Sequence, residues 1–267
     1  MKKRLIPLLG ALLILTAGCG GGARDAVSTD GSTSMAVVMA ALGEAYREKH
    51  PGVVVNYSGT GSGAGVEAVL AGTCDIGLSS RELTEAERAA GAAGHLAALD
   101  GVAVVVHPDN PIRELTLPQL TAVFTGLITQ WSQLGGPAAP IAVYGREAGS
   151  GTRSAFEAAV SAGGRCVYTN EYGSAGDVAG GVAANPNAIG YLSLAAVDGS
   201  VVPLSLGGAA CTLENLQAGL YPIWRPFLLV TGPEGPRSAA AGAFLDYALS
   251  PAAAGPIARA GAAPAAP

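Results

Sequence analysis

The sequence predicts an α/β fold arranged in two lobes with largely parallel sheets. Short apolar runs typical of buried strands alternate with segments of helical periodicity along the 267 residues. Three strand-to-helix junctions carry a turn rich in glycine and hydroxyl residues. Proline-containing stretches at 107–111 and 222–226 adjoin apolar strands and are interpreted as crossings between lobes. A chain of this length can bury one large core or two smaller ones.

The first of these turns is Asp-Gly-Ser-Thr-Ser at residues 30–34. It follows a weak strand at 26–29 and precedes a helix with an apolar face. That face consists of Met35, Val38, Met39, Leu42 and Tyr46. Four consecutive small or hydroxyl residues offer N–H and O–H donors without bulk, so an anion could approach closely.

The second turn spans residues 58–65, between a strand at 53–57 and a helix carrying Val66, Val69 and Leu70. The spacing Gly59-x-Gly61-x-x-Ala64 also fits a loose dinucleotide fingerprint. That interpretation is disfavoured because no acidic residue follows about 20 positions later at the end of a second strand.

The third turn, residues 146–152, reads Arg-Glu-Ala-Gly-Ser-Gly-Thr and lies between a strand at 141–144 and a helix at 154–160. Free N–H groups and the helix dipole make such a turn an anion site, and Arg146 can present a planar fork to an oxyanion. The alternative is an N-capped helix whose glycines only let the chain turn. Because all three turns follow strands, they are expected at one rim of the sheets.

The remaining elements are short. A strand at 75–78 leads to Ser79, Ser80 and Arg81, and Thr84 with Glu87 forms a capping-box pattern. Arg81 is interpreted as a surface charge. Further strands are expected at 101–106, 188–192, 201–206 and 222–230, and further helices at 115–124, 178–184, 213–219 and 239–249. The Ala/Pro-rich tail after Ser250 is expected to contain a weak helical stretch and then to fray.

The N-terminus is typical of a secretion signal at residues 1–18. Three basic residues, Lys2, Lys3 and Arg4, precede an apolar run at 5–15 that is too short to span a membrane. The run ends Leu15-Thr16-Ala17-Gly18-Cys19, which is similar to a bacterial lipoprotein cleavage site. Cys19 would then be lipidated and residues 19–25 would form a flexible tether; ordinary signal cleavage is the alternative.

Charge and cysteine usage exclude several classes of partner. Loss of residues 1–18 would leave twelve basic and twenty acidic residues, a net charge near minus eight, which disfavours nucleic acid as a partner.

An exported chain permits a disulfide, and Cys166 with Cys211 is the favoured pair, whereas Cys74 is expected to be a small buried hydrophobe. No CxxC or His/Cys cluster occurs, so neither a metal nor a cofactor is expected.

The motifs together resemble the phosphate-binding lipoproteins of bacterial phosphate ABC importers, a family of two-lobed solute-binding proteins. The resemblance spans nearly the whole mature chain and implies a type II periplasmic-binding-protein-like fold with a ligand cleft between lobes. The matching stretches are residues 30–34, 57–63, 75–81, 124–126 with Trp131, 146–152, 185–191, and Tyr221-Pro222 with Arg225-Pro226.

The resemblance also implies lobes, partners and ligands. Lobe I would comprise residues 26–104 and 222–267, lobe II residues 105–221, with hinges near 102–107 and 224–229. The protein would be a monomer, not an enzyme, lipid-anchored on the outer face of the cell membrane, and would pass inorganic phosphate to membrane permease subunits. The implied phosphate ligands are Ser32, Thr33, Ser34, Ser62, Ser80, Arg146, Ser150, Gly151 and Thr152, with Arg146 as the one formal positive charge.

Two departures leave the anion open. Some family members carry an aspartate where Ser80 stands, which accepts the proton of hydrogen phosphate, and another where Ala148 stands. Ser80 could accept that proton here, since a hydroxyl is both donor and acceptor, and Glu147 or Asp30 could help. Sulfate or molybdate binding, a lipoprotein that has lost transport, and a secreted serine hydrolase are the alternatives. The hydrolase is disfavoured because no G-x-S-x-G elbow occurs and no histidine has an evident partner.

Overall fold

A computed structural model describes residues 25–265. The strands are β1 (Asp25–Gly31), β2 (Val53–Ser58), β3 (Ile76–Ser79), β4 (Ala93–Val106), β5 (Glu114–Leu115), β6 (Ala142–Arg146), β7 (Asn170–Tyr172), β8 (Ala188–Ser193), β9 (Val202–Pro203), β10 (Ser205–Leu206), β11 (Trp224–Thr231) and β12 (Ala263–Pro264). The α-helices are α1 (Ala36–Lys49), α2 (Ser62–Leu70), α3 (Glu85–Ala89), α4 (Leu117–Phe124), α5 (Gly151–Ala159), α6 (Ala175–Ala183), α7 (Leu213–Gln217), α8 (Ala239–Ala248) and α9 (Ala254–Arg259). Short 3-10 turns occupy Thr33–Met35, Trp131–Leu134, Leu194–Ala196 and Pro251–Ala253.

One ten-stranded sheet runs through both halves of the described chain. Its main order is β2-β1-β3-β11-β4-β8-β6-β7, with β9 and β12 also paired to β4. β1 is parallel to β2 and β3, and β6 is parallel to β7 and β8. The central strands β4 and β11 are antiparallel to their neighbours. The sheet is therefore mixed, parallel toward each end as the strand–helix alternation predicts, and antiparallel where the chain crosses between the two ends.

The 14-residue strand β4 joins the two ends. Its first part, up to Gly101, pairs with β11, and its second part, from Val102, pairs with β8. At the change of partner the Val102 N–H donates to the carbonyl of Ile223 at 2.9 Å. Two chain crossings thus lie side by side at the middle of the sheet.

The buried side chains form separate clusters on the two sides of this crossing. One cluster runs from Val102 to Ile223 and contains Trp131, Phe156 and Tyr191. A second combines residues from 27–98 with residues from 227–262, and a third, smaller cluster surrounds Val66 and Val230. The first two clusters meet within β4, between Ala98 and Val102, close to the lobe boundary expected at residue 104.

Both ends of the described chain differ from expectation. β1 begins at Asp25, the last residue of the expected tether, because its N–H donates to the carbonyl of Gly52 at 3.0 Å. Residues 251–264 do not fray. Their small apolar side chains, including Ile257 and Ala262, are buried in the second cluster, and β12 pairs with β4.

The three described cysteines are free, so the expected Cys166–Cys211 disulfide is wrong for this structure. Cys211 is buried against β4, where its sulfur lies 3.1 Å from the position that a Cβ on Gly101 would take. Cys166 is only half-buried and packs with the residues around the first cluster. Cys74 is buried, as expected. Cys19 and the signal at 1–18 lie outside the described residues.

Local capping signals are confirmed. Thr84 accepts from the N–H of Glu87 while the Glu87 carboxylate accepts from the N–H of Thr84, which starts α3. Arg81 forms a 2.6 Å ion pair with the same carboxylate. Among the helices of residues 25–265, none has the length and apolar character needed to cross a membrane.

Candidate anion-binding site

Three helix starts and one strand end meet at a single rim of the sheet. The 3-10 turn leading into α1 follows β1, α2 follows β2, and α5 follows β6, while Ser80 directly follows β3. These strands are parallel within each half, so their carboxyl ends point the same way and deliver the turns to one place. Each helix start offers N–H groups that have no partner within its helix.

Three buried serines form a hydroxyl cluster on one side of this rim. Ser32 Oγ donates to Ser80 Oγ at 2.9 Å, and Ser62 Oγ lies 3.2 Å from Ser80 Oγ. The backbone N–H of Ser80 donates to Ser62 Oγ at 3.0 Å. None of the three side chains is more than 2% exposed. The cluster is preorganised, because each hydroxyl is held by at least one neighbour.

The turn at 149–152 closes onto this cluster from the other side. Ser34 Oγ and Thr152 Oγ1 are 2.9 Å apart although 118 positions separate them in sequence. Gly151 packs so closely that a Cβ there would lie 2.5 Å from both Ser62 Oγ and Ser80 Oγ. No side chain fits at this position, which explains why the turn places a glycine between Ser150 and Thr152.

Arg146 crosses between the two sides and is 1% exposed. Its Nη2 donates to Thr33 Oγ1 at 2.9 Å and its Nη1 lies 3.4 Å from Thr152 Oγ1. Backbone carbonyls of Tyr172 and Gly173 fix the guanidinium at 3.1 Å each. These contacts hold the positive charge in a defined position at the site.

Glu147 pairs with Arg146 at two points. Arg146 Nε donates to Glu147 Oε2 and Nη2 donates to Oε1, both at 2.9 Å. The Glu147 side chain is 34% exposed, so it lies at the edge of the site. Its carboxylate therefore offsets part of the Arg146 charge.

A second buried arginine, Arg225, lies beside the site and contacts one of the expected ligands. Arg225, on β11, donates from Nη1 to Ser80 Oγ at 3.2 Å and is 1% exposed. Its Nε and Nη2 hold Asp100 Oδ2 at 2.9 and 2.8 Å, and Ser193 donates to Asp100 Oδ1 at 2.7 Å. Burial raises the pKa of Asp100, and Arg225 and Ser193 oppose that rise.

The sequence contains a signal for Arg225 beyond its place in the Arg225-Pro226 motif. It is a lone charge between Ile223 and a run of apolar residues that reaches Val230. A charged side chain in a fully buried strand needs a partner, so an acidic residue on the adjacent strand was to be expected. The register that supplies Asp100 was not visible in the sequence.

Ser150 is the N-cap residue of the helix that begins at the site. Its Oγ accepts from the N–H of Arg153 at 3.4 Å and caps α5. Its buried hydroxyl therefore orders the start of the helix, and through it the N–H groups of Gly151 and Thr152. The other expected ligands lie together, and each either contacts another of them or is the neighbour in sequence of one that does. They are Ser32, Thr33, Ser34, Ser62, Ser80, Arg146, Gly151 and Thr152.

The arrangement does not suit a serine hydrolase. The ring of His50 stacks on Tyr46, with centroids 4.2 Å apart, His95 Nε2 lies 3.1 Å from Thr231 Oγ1, and His107 Nδ1 accepts from the N–H of Asp109. Within residues 25–265 no histidine is hydrogen-bonded to a serine of the site. In the described part of the chain, none of the three histidines is therefore placed to act as a general base for Ser32, Ser62 or Ser80.

Comparison with known proteins identifies the family. A sequence profile described as PBP superfamily domain matches residues 20–252. The phosphate-binding protein PstS of Bacillus subtilis is 30% identical over 272 residues, which cover 94% of this chain and 90% of that protein. PstS of Pseudomonas aeruginosa is 30% identical over 86% of this chain and 80% of its own.

Solved structures agree with the sequence relatives. A candidate phosphate ABC transporter substrate-binding protein from Clostridium perfringens, crystallised with bound phosphate, superposes with a TM-score of 0.86 at 37% identity, covering 90% of this chain and 99% of that one. An ABC-type phosphate transport receptor from Vibrio cholerae gives a TM-score of 0.71 at 34% identity, covering 89% and 99%. The chain therefore belongs to the PBP superfamily and, within it, to the family of the PstS phosphate-binding proteins.

Proposed function

We propose that this protein captures inorganic phosphate outside the cytoplasm and delivers it to an ABC importer. The observation that carries the proposal is the convergence of three helix starts and the buried Arg146 guanidinium at one rim of the sheet. N–H groups, hydroxyls and one fork-shaped cation are the donors that a dehydrated oxyanion needs. Relatives named for phosphate binding match nearly the full chain, which supports phosphate as the ligand.

Closure of two lobes explains how the anion would be enclosed. The half that contains the second and third buried clusters supplies the serine donors Ser32, Ser34, Ser62 and Ser80. The other half supplies Arg146 and Thr152. Rotation about β4 and β11, near residues 102–107 and 224–229, would separate the two sets of donors. Phosphate would stabilise the closed arrangement, and a membrane permease would recognise it.

The proposal extends to the attachment of the protein. Lipidation of Cys19 after removal of residues 1–18 would tether a monomeric fold to the outer face of the cell membrane. The observation behind it is the sequence Leu15-Thr16-Ala17-Gly18-Cys19 after a basic and apolar leader. In cells fed labelled palmitate, the native chain should incorporate label and partition into detergent, and Cys19→Ala should do neither. A labelled Cys19→Ala chain would contradict lipidation at this residue.

Calorimetric titration of the purified protein with phosphate tests the main proposal. The native protein should bind phosphate at one site, and Arg146→Ala should lose at least about a hundredfold in affinity because it removes a buried charge-assisted contact. Arg165→Ala, which removes an arginine whose hydrogen bonds are to local carbonyls, is the matched control and should bind normally. Unchanged phosphate affinity in Arg146→Ala would overturn the assignment of the site.

The competing function is capture of another oxyanion, such as sulfate or molybdate, by the same donors. Adding those anions to the same titration decides between the functions. Tight binding of molybdate with no measurable heat from phosphate would favour the competitor. A heat-stability shift that appears only with phosphate would support phosphate by mass action.

A further inference from the structure

The backbone of Arg146 is held by side chains on both sides of its α-carbon. Its N–H donates to the Tyr191 hydroxyl at 3.2 Å, and its carbonyl accepts from Nη1 of Arg153 at 2.9 Å. The neighbouring strand β8 pairs with β6 at Ala142 and Val143, before β6 reaches Arg146. At Arg146 itself, side chains therefore take both of these backbone groups.

A chain of hydroxyls leads from the Arg146 N–H to a carboxylate. Tyr168 Oη lies 3.1 Å from Tyr191 Oη and donates to Glu157 Oε1 at 2.9 Å. An ionised carboxylate can only accept, so the Tyr168 proton goes to Glu157 and the Tyr191 proton goes to Tyr168. Burial raises the pKa of Tyr191 to about 12 and also raises the pKa of Tyr168, so both phenols keep their protons at neutral pH. Each hydrogen bond of this chain therefore points in one direction.

Arg153 closes this chain into a ring of hydrogen bonds. Its Nε donates to Glu157 Oε1 at 2.8 Å, and its Nη1 donates to the Arg146 carbonyl. The guanidinium also lies over the Tyr168 ring, 4.9 Å from the centroid. The contacts thus run from the Arg146 N–H through Tyr191, Tyr168, Glu157 and Arg153 back to the Arg146 carbonyl.

Packing restricts this ring of hydrogen bonds to one arrangement. The Tyr191 side chain is fully buried and stacks on Phe156, with centroids 4.0 Å apart. The Tyr168 ring covers Gly145, where a Cβ would lie 2.4 Å from two ring carbons. A side chain at residue 145 would therefore displace Tyr168.

The ring also joins the two ends of the turn at 146–152. Arg153 lies in the first turn of α5, directly after Gly151 and Thr152, while the carbonyl that it holds is at the end of β6. The start of the helix and the residue that carries the Arg146 guanidinium are therefore held at one separation. Preorganised donors of this kind bind a ligand more tightly because less freedom is lost on binding.

We propose that Tyr168 and Arg153 are positioning residues for phosphate binding, which act through the backbone of Arg146 to aim its guanidinium at the anion. The inference rests on the proposed phosphate function and deepens it. Because a hydrogen bond weakens steeply as its angle closes, a guanidinium that swings makes weaker contacts with the same anion. Breaking the ring therefore costs affinity although every group that contacts the anion is still present.

Tyr168→Phe removes one hydroxyl from the ring and changes neither charge nor ring shape. Calorimetric titration should show a phosphate affinity about tenfold below that of the native protein, the usual effect of one hydrogen bond. Tyr144→Phe is the matched control and should bind normally. It removes a buried hydroxyl of the same half, which accepts from Asn185 Nδ2 at 2.9 Å.

The outcomes of this titration separate the inference from the proposed function. Native phosphate affinity in Tyr168→Phe would overturn the inference and leave the function standing. Failure of the native protein to bind phosphate would overturn the function itself. If Tyr168→Phe does not fold, Tyr191→Phe breaks the same ring at the Arg146 N–H and should show the same tenfold loss; native affinity in that variant would also overturn the inference.

Arg146→Lys distinguishes positioning from a general loosening of the fold. A lysine lacks the planar fork that the ring aims, so adding Tyr168→Phe to Arg146→Lys should lower phosphate affinity less than about threefold further. Urea denaturation should show the same loss of stability from Tyr168→Phe in both backgrounds. A tenfold loss of affinity in both backgrounds would mean that Tyr168 acts on the fold alone, against the inference.

Arg153→Lys distinguishes positioning from the effect of charge. The ammonium keeps the positive charge but lacks the fork that holds Glu157 and the Arg146 carbonyl together, so phosphate affinity should fall about tenfold. Arg165→Lys, at an arginine whose hydrogen bonds are to local carbonyls, is the control and should bind normally. Unchanged affinity in Arg153→Lys would show that only its charge matters and would overturn its positioning role.

Discussion

Arg146 and Thr33, 113 positions apart in sequence, are joined by a 2.9 Å hydrogen bond from Nη2 to Oγ1 across the cleft between the two halves of the sheet. The same guanidinium reaches toward Thr152 on its own half and is held from behind by the carbonyls of Tyr172 and Gly173. One side chain thus contacts both sets of proposed ligands. Anion binding and lobe closure are therefore expected to be one event.

Gly151→Ala should impair phosphate binding by at least about a hundredfold, because the new methyl group would lie 2.5 Å from Ser62 Oγ and Ser80 Oγ and would hold the halves apart. Calorimetry measures the loss. The matched control is Gly180→Ala, within α6, where a Cβ meets no atom within 4 Å. That control should bind normally and gain about 0.5–1 kcal/mol of stability from its helical alanine. Normal affinity in Gly151→Ala would mean that phosphate binds without this contact.

Glu147→Gln should strengthen phosphate binding several-fold, up to about tenfold, because it removes a negative charge 2.9 Å from the Arg146 guanidinium. The gain should shrink as salt is added, since the carboxylate is at the edge of the site and is screened. Titrations at low and high ionic strength measure both effects, and Glu234→Gln at an exposed position is the control. Weaker binding in Glu147→Gln would show instead that the carboxylate mainly orients the guanidinium.

Asp100→Asn should destabilise the fold by about 3–5 kcal/mol, because it leaves the Arg225 charge buried without a counter-ion. Urea denaturation measures the change. Asp109→Asn, at a side chain that is 83% exposed, should change the free energy of unfolding by less than about 0.5 kcal/mol. Combining Asp100→Asn with Arg225→Met should recover part of the loss. A cost below about 1 kcal/mol for Asp100→Asn alone would mean that water reaches the pair.

Glu87, which forms an ion pair with Arg81, gives a prediction of pH-dependent stability. The hydrogen bonds and charge of Arg81, with the N–H of Thr84, lower the pKa of Glu87 to about 2. A carboxylate with a lowered folded-state pKa stabilises the fold above its ordinary pKa of about 4.3, and this contribution is lost as the pH falls toward 2. Because the pair is partly solvated, the contribution at neutral pH should be about 1 kcal/mol.

Unfolding of the native protein and of Glu87→Gln, followed by denaturant from neutral pH down to about pH 2, measures this contribution. The two free energies of unfolding should differ at neutral pH and converge as the pH falls below the ordinary glutamate pKa. Glu85→Gln, at an exposed position on the same helix, is the control. A difference that stays constant down to low pH would show that Glu87 acts through its shape rather than its charge.

The sequence alone determined the strand–turn–helix units and the family. Hydrophobic periodicity, the capping box at Thr84, and Gly/Ser turns after strands are local patterns, and the structure contains the corresponding elements within a few residues. The structure also brings together the hydroxyl groups of the three turns, among them those of Ser32 and Thr152. The motif order alone was enough to indicate the family, because each motif is weak but their sequence along the chain is specific.

Only the tertiary structure decided which of these groups contact one another. Arg225 reaches Ser80 over 145 positions and Asp100 over 125. The first contact depends on the pairing of β11 with β3, and the second on the register between β11 and β4. The same long-range packing leaves Cys166 and Cys211 unpaired and buries the alanine-rich segment after Ser250. Periodicity records which face of a strand is buried but not which strand lies beside it, and a hydroxyl becomes a donor or an acceptor only when its neighbours are in place.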